Sequence, residues 1–140
     1  MVDDPTLTDE QKDGFVKNLC FHTDIHNIQN VYKAFFVIRD DQQIVGMIGL
    51  KQLAPDTLEI KRLQIAAKYQ GLGLSKRLME HVSCYARSMN FALLRLDVSE
   101  PQIKARNLYL SLGFTVTHTE HRILGPDNEE FFSTYMEKKL

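Results

Sequence analysis

The period of the hydrophobic positions changes several times along the chain, and each change marks an element. Phe15, Val16 and Leu19 recur at helical spacing behind Thr8, and Gln11 follows Thr8 by three residues, a capping-box pattern that predicts a helix over residues 8–20. Residues 21–32 have no clear period and predict a loop or a short irregular helix. Residues 34–39 are apolar and aromatic, Asp40-Asp41-Gln42-Gln43 makes a turn, and residues 44–52 complete a β-hairpin. After a second turn at Pro55-Asp56, residues 58–65 read as a third strand. Leu74, Leu78, Val82, Tyr85 and Met89 then recur every three or four residues, so one stripe of a long helix ending at Asn90 faces a core. Leu93, Leu94, Leu96 and Val98 form a nearly all-apolar strand, the pattern of burial on both faces. Ser99-Glu100-Pro101-Gln102 opens another helix, with Ala105, Leu108, Tyr109 and Leu112 inward and Gly113 as its C-cap. Residues 114–122 alternate apolar and polar side chains, residues 125–128 turn, and residues 131–136 form the closing strand. Helix, three strands, helix, strand, helix and two strands predict an α/β sandwich with a central mixed sheet.

Composition narrows the class. The chain has 140 residues, 44% apolar and 25% charged, which excludes disorder and fits a single domain over residues 1–140. Its net charge is -1 and no like-charge block stands out, so neither a nucleic acid nor an anionic membrane is expected as a partner. Residues 1–10 are acidic and polar, unlike a signal peptide, and no apolar run reaches the length of a membrane span, which sets the expectation of a soluble cytoplasmic protein. Cys20 and Cys84 supply neither a disulfide framework nor the four ligands of a structural zinc, and no metal site is expected.

The most informative segment is Gln70-Gly71-Leu72-Gly73-Leu74-Ser75, between a predicted strand and a predicted helix. Amides at a helix N-terminus point outward unpaired and carry the positive end of the dipole, which suits a phosphate or diphosphate. Glycines admit positive φ and close backbone approach, and Ser75 is small. Two glycines in a tight strand-to-helix turn account for the same residues equally well. A P-loop would need Gly-Lys-Ser/Thr where Leu74-Ser75-Lys76 stands. A dinucleotide fold would place its glycines in the first βα unit, whereas here a hairpin comes first.

Three stretches together, residues 58–65, residues 69–79 and residues 105–114, resemble the GNAT superfamily of acyl-CoA-dependent N-acyltransferases, and the resemblance covers about residues 34–140. It implies a GNAT-like fold, with a first strand that is not evident in residues 1–8, and acetyl-CoA as cosubstrate. By that resemblance Gln70, Gly71, Leu72, Gly73, Leu74 and Ser75 bind the coenzyme diphosphate through backbone amides, Ser75 standing where Gly or Ala is usual. The strand before the loop is expected to splay at a bulge, so that Leu63, Gln64 and Ile65 hold pantetheine and polarise the thioester carbonyl with backbone donors. Tyr109 falls on the family's proton donor to the departing thiolate, although spacing alone reads it as a core residue beside Leu108 and Leu112. Glu59 stands where some members carry a carboxylate base, or else pairs with Lys61 or another cation. Gln102 occupies the place of an Asn that contacts the coenzyme, and with Ser99 it equally fits a capping box; Asn107 offers another polar contact.

The implied activity is direct transfer of an acetyl group to a primary amine in a ternary complex, with no activated Ser or Cys to carry a covalent intermediate. A non-catalytic acyl-CoA-binding or sensing module, or a nucleotide-binding regulatory domain, is the alternative. Of the five histidines none forms a ligand motif; His118 and His121 point to opposite faces of a strand, while His22 and His26 are placed to line an acceptor entrance. Cys84 reads as a buried packing residue, and Lys76 and Arg77 meet either phosphate groups or solvent. The two C-terminal strands form an edge whose covering predicts a homodimer.

Overall fold

A computed structural model describes residues 28–99, 102–124 and 126–140. The predicted helix over residues 8–20, His22 and His26 lie outside the described residues. A single helical turn, α1 (Ile28–Val31), precedes β1 (Ala34–Asp40) and β2 (Gln43–Ala54), which pair antiparallel as the hairpin pattern requires. Asp41 closes the hairpin with φ 59°, a left-handed conformation that Asp tolerates better than most side chains. Then follow β3 (Thr57–Ile65), a 3-10 turn (Ala67–Tyr69), α2 (Leu74–Ser88), β4 (Leu93–Ser99), α3 (Ile103–Ser111), β5 (Thr115–Leu124) and β6 (Glu129–Lys139). The strands hydrogen-bond in the order β1-β2-β3-β4-β6-β5. The pair β3/β4 is parallel, and β4/β6 and β5/β6 are antiparallel, so the sheet is mixed as predicted.

The described residues gather into two compact units: those up to Gln52 with Ile60–Val82, and Leu53–Glu59 with Ser83–Leu140. In the first, Val45, Met47, Ile48, Leu50, Ile60, Leu78 and Met79 are buried, each such side chain contributing about 1.5–3 kcal/mol. The ring of Tyr32 sits where a side chain on Gly49 would be, since a Cβ there would lie 2.6 Å from Cε1. In the second, Leu58, Leu94, Leu96, Val98, Phe114 and Met136 are fully or nearly fully buried. Its parallel ladder pairs Thr57 with Leu93, Leu58 with Leu94 and Glu59 with Arg95.

Three expectations are corrected. The strand over Leu93–Ser99 alternates instead of burying both faces, because Arg95 and Asp97 break the apolar run and take the less covered side. Cys84 is exposed: α2 buries Leu78, Met79, Val82, Ser83 and Ala86, and Cys84 lies outside that stripe. β6 lies between β4 and β5, so among the described residues only β5 of the two C-terminal strands is an edge. Asn90 does end α2, at φ 63°, with Phe91 N–H donating to the Ala86 carbonyl at 2.9 Å.

Candidate active site

The glycine loop belongs wholly to the first unit. Past Ile65, Ala66 N–H donates to the Val45 carbonyl at 2.8 Å, anchoring the strand end to β2. Gln70 Nε2 reaches back to the Ile65 carbonyl at 3.1 Å and so fixes the start of the loop. Gly71 and Gly73 follow with φ 80° and 77°, and a Cβ on either would meet nothing within 4 Å. Glycine is needed here for its backbone conformation; the space beside it is open. The first helical bond of α2 runs from Arg77 N–H to the Gly73 carbonyl at 3.1 Å, so the amides of Leu74, Ser75 and Lys76 precede it. An open, glycine-built backbone concavity leading into a 15-residue helix fits a diphosphate.

The loop's approach is also shaped for backbone recognition. Arg62 has φ 57° inside β3, a left-handed conformation that departs from regular strand geometry immediately before Leu63, Gln64 and Ile65. Gly46 on β2 admits them closely: a Cβ there would lie 2.8 Å from Ile65 Cδ1 and 3.5 Å from the Gln64 carbonyl. The Gln64 Oε1 is buried and accepts no hydrogen bond among the described residues.

The second unit carries Glu59, Gln102, Asn107 and Tyr109. Tyr109 is buried, and its phenol is pushed up to about 12, first by burial and then by the negative charge of Asp97. Glu59 is partly buried at the last rung of the ladder, opposite Arg95. Gln102 is itself the N-cap of α3 and makes no side-chain capping bond, which replaces the capping-box reading with Ser99. Gln102 and Asn107 line one groove of about 690 Å³ together with Ser99, Arg106, Phe132 and Thr134. Tyr109 turns inward, two residues from the exposed Asn107, and positions two apart on a helix do not share a face. The groove therefore joins Gln102 to Asn107 and leaves Tyr109 apart from them.

One cluster escapes sequence reasoning. The His118 ring stacks on Tyr135 at 4.5 Å, Arg95 lies 5.0 Å from the same ring, and Arg122 Nη2 donates to the Tyr135 hydroxyl. The β5/β6 register, with its irregularity between Val116 and His118, and the β4/β6 register bring these residues together, and nothing local signals it. As expected, His121 takes the other face, against Phe132 at 5.1 Å. Among the described residues no group of three or more His, Cys, Asp or Glu is arranged to hold a metal, and no helix is long and apolar enough to cross a membrane.

Comparison with known proteins bears on the family and the fold. Residues 5–114 match the acetyltransferase (GNAT) family, and the chain belongs to that family. It is 31% identical over 110 residues to N-acetyltransferase 8B of Homo sapiens, a match covering 71% of this chain and 48% of that protein; the chain thus spans about half the length of that relative. An acetyltransferase from Streptococcus agalactiae superposes with a TM-score of 0.72 at 24% identity, covering 87% of this chain and 78% of the other. A GNAT family acetyltransferase from Elizabethkingia anophelis with acetyl-CoA bound superposes with a TM-score of 0.66 at 21% identity, covering 76% and 75%. The two likenesses establish the GNAT-like α/β fold.

Proposed function

We propose that the chain transfers an acetyl group from acetyl-CoA to a primary amine by direct attack in a ternary complex. The observation that carries this is the loop of Gly71 and Gly73, held at positive φ and open at both Cβ positions, which presents backbone amides at the start of α2. Acetyl-CoA supplies the activated thioester. The amides of residues 71–75 hold its diphosphate, and backbone donors at Leu63, Gln64 and Ile65, after the left-handed Arg62, polarise the thioester carbonyl. Glu59, directly or through water, takes the proton that an alkylammonium must lose before its nitrogen attacks the carbonyl carbon. As the carbon–sulfur bond breaks, Tyr109 gives its proton to the thiolate. No nucleophilic side chain is asked for, and positioning with carbonyl polarisation supplies most of the rate. Gln102 is assigned a contact to the coenzyme. Asn107, which lines the same groove as Gln102, is assigned the alternative polar contact.

Calorimetric titration with acetyl-CoA, with ATP and NAD as controls, tests the donor. Saturable micromolar binding of acetyl-CoA alone, followed by amine-dependent release of free thiol, is the expected result. Binding without thiol release across an amine panel would favour a sensing module instead. Absence of binding by the folded protein would reduce the loop to a turn.

A further inference from the structure

Within the second unit, the last rung of the parallel ladder sets Glu59 of β3 beside Arg95 of β4. Neighbouring strands lie about 4.8 Å apart and paired residues point to the same face, so the two side chains leave the sheet together. Both are partly buried, and the buried Leu58, Ile60, Leu94 and Leu96 that flank them along their strands face the other way. On β6, Glu137 stands opposite Arg95, and Tyr135 stands opposite Asp97. Arg95 thus shares its face with three carboxylates, Glu59, Asp97 and Glu137, yet among the described residues it forms no ion pair. Its guanidinium lies over the Tyr135 ring at 5.0 Å instead, and its Nε is buried with no hydrogen-bond partner. That ring is a fixed platform. Tyr135 is 6% exposed, His118 stacks on it, and its hydroxyl accepts a hydrogen bond from Arg122 Nη2. Arg122 has the Glu120 carboxylate at 3.7 Å, so of the two arginines on this ring only Arg95 lacks a carboxylate partner.

A guanidinium offers paired donors in a planar fork that matches a carboxylate, and a partly buried one is stabilised when an anion meets it. The carboxylates around it suit a cation one rung away. A single arginine among carboxylates, with Glu59 at ladder spacing, is the complement of a zwitterion. Resting on the proposed role of Glu59 as the base, we infer that the acceptor is a free α-amino acid, with its ammonium group at Glu59 and its carboxylate held by Arg95. The amine and the carboxylate of such a molecule sit on one carbon, which suits two side chains leaving adjacent rungs of one sheet. The nitrogen gives its proton to Glu59 and forms the amide bond as the carbon–sulfur bond breaks. The coenzyme thiolate takes the proton of Tyr109, and the N-acetylated acid leaves with its carboxylate intact. Arg95 fixes which nitrogen faces the base, and Tyr135, which supports the guanidinium through its ring, is a positioning residue. A simple alkylamine, a polyamine or a lysine side chain within a protein brings no carboxylate beside its amine and leaves Arg95 unmet.

The test measures thiol release from acetyl-CoA with the common α-amino acids, each offered as the free acid and as its α-amide, for the wild-type chain and the Arg95→Gln and Arg95→Lys variants. Circular dichroism checks that the variants fold. Calorimetry with acetyl-CoA is expected to give Kd values within about twofold of the wild type, which separates loss of the acceptor site from damage to the fold. For the wild type, at least one free acid should turn over with kcat/KM about 10–100-fold above that of its amide. That preference should fall to about twofold in Arg95→Gln and lie between the two in Arg95→Lys, which keeps the charge and loses the planar fork, with the loss carried by KM. Where the Gln variant does not fold, the Lys variant decides. Equal kcat/KM for acid and amide in the wild type, or full preference retained in the folded variants, overturns the inference. Turnover of simple amines alone, or of no free acid while acetyl-CoA still binds, overturns it too and leaves the coenzyme reading standing. Absence of acetyl-CoA binding overturns the proposed function itself and this inference with it.

Discussion

Tyr109 is buried enough to keep its proton and is placed on the helix that follows the central strand. With the phenol at about 12, it stays protonated over the whole range in which an amine acceptor becomes a nucleophile. Tyr109→Phe is therefore expected to lower kcat by about 10²–10⁴-fold, the usual worth of a general acid, while changing the Kd of acetyl-CoA by no more than about twofold. An unchanged kcat would remove Tyr109 from the mechanism. The same burial has a consequence for stability. The folded-state value lies above the unfolded value near 10, so the native state binds the proton more tightly; this stabilisation is complete below pH 10 and is lost as pH rises to about 12. A displacement of that size corresponds to about 2–3 kcal/mol. Urea titrations at about pH 9 and about pH 11 should show the loss in the wild type and a flatter response in the Phe variant. Gly73 makes a different demand. Gly73→Ala meets no atom within 4 Å, so its cost is the left-handed backbone alone, about 1–2 kcal/mol. A lower Tm and weaker acetyl-CoA binding are expected from it, and neither from Leu72→Ala, whose side chain is 66% exposed. Equal behaviour of the two variants would mean that the loop conformation is not what binds the coenzyme.

Within elements, the two glycines of β2 separate close packing from room to adjust. A Cβ at Gly49 would press on the Tyr32 ring at 2.6 Å, whereas one at Gly46 would meet the end of the flexible Ile65 side chain at 2.8 Å. Gly49→Ala should cost about 1–3 kcal/mol by overpacking and Gly46→Ala less, read from urea midpoints at constant m; the reverse order would count against this packing. These positions also show where the sequence stops being legible. The hairpin, the helix stripe through Leu78 and Val82 and the Asn90 cap depend on near neighbours, and each follows from spacing. The exposure of Cys84 and the alternation of β4 depend on which helix stripe and which strand face the rest of the chain covers. An apolar run does not reveal that, and Arg95 and Asp97 show it only once β4 is seen paired on both sides. The glycine loop was legible because its chemistry lies in consecutive backbone groups. The rung that sets Glu59 beside Arg95 joins two strands far apart in the chain, so no local pattern announces it.

Across the sheet, β1 and β5 end the strand order, and β5 offers ten residues without proline, glycine or lysine to discourage pairing. Val116, Ile123 and Phe132 leave 43%, 54% and 45% of their surface exposed, and the ladder puts them on one face: Val116 opposite Met136, His121 opposite Phe132 and Ile123 opposite Glu130. The edge is also self-complementary in charge. Glu120 and Arg122 lie 3.7 Å apart on one strand, and antiparallel pairing of two copies about His121 sets each Glu120 opposite the other copy's Arg122. The expected homodimer would then pair through β5, because β6 lies between β4 and β5. Sedimentation equilibrium at micromolar concentration should give twice the chain mass. Ile123→Lys, at a position already solvated in the single chain, should return it to the monomer without lowering the thermal midpoint of that monomer. A wild-type chain that sediments as a monomer throughout would show that β5 is left open or is covered by something other than its own copy. A dimer that persists in the Ile123→Lys variant would move the contact elsewhere, since pairing about His121 sets position 123 opposite the other copy's Thr119, where the edge would have to bury an unpaired lysine.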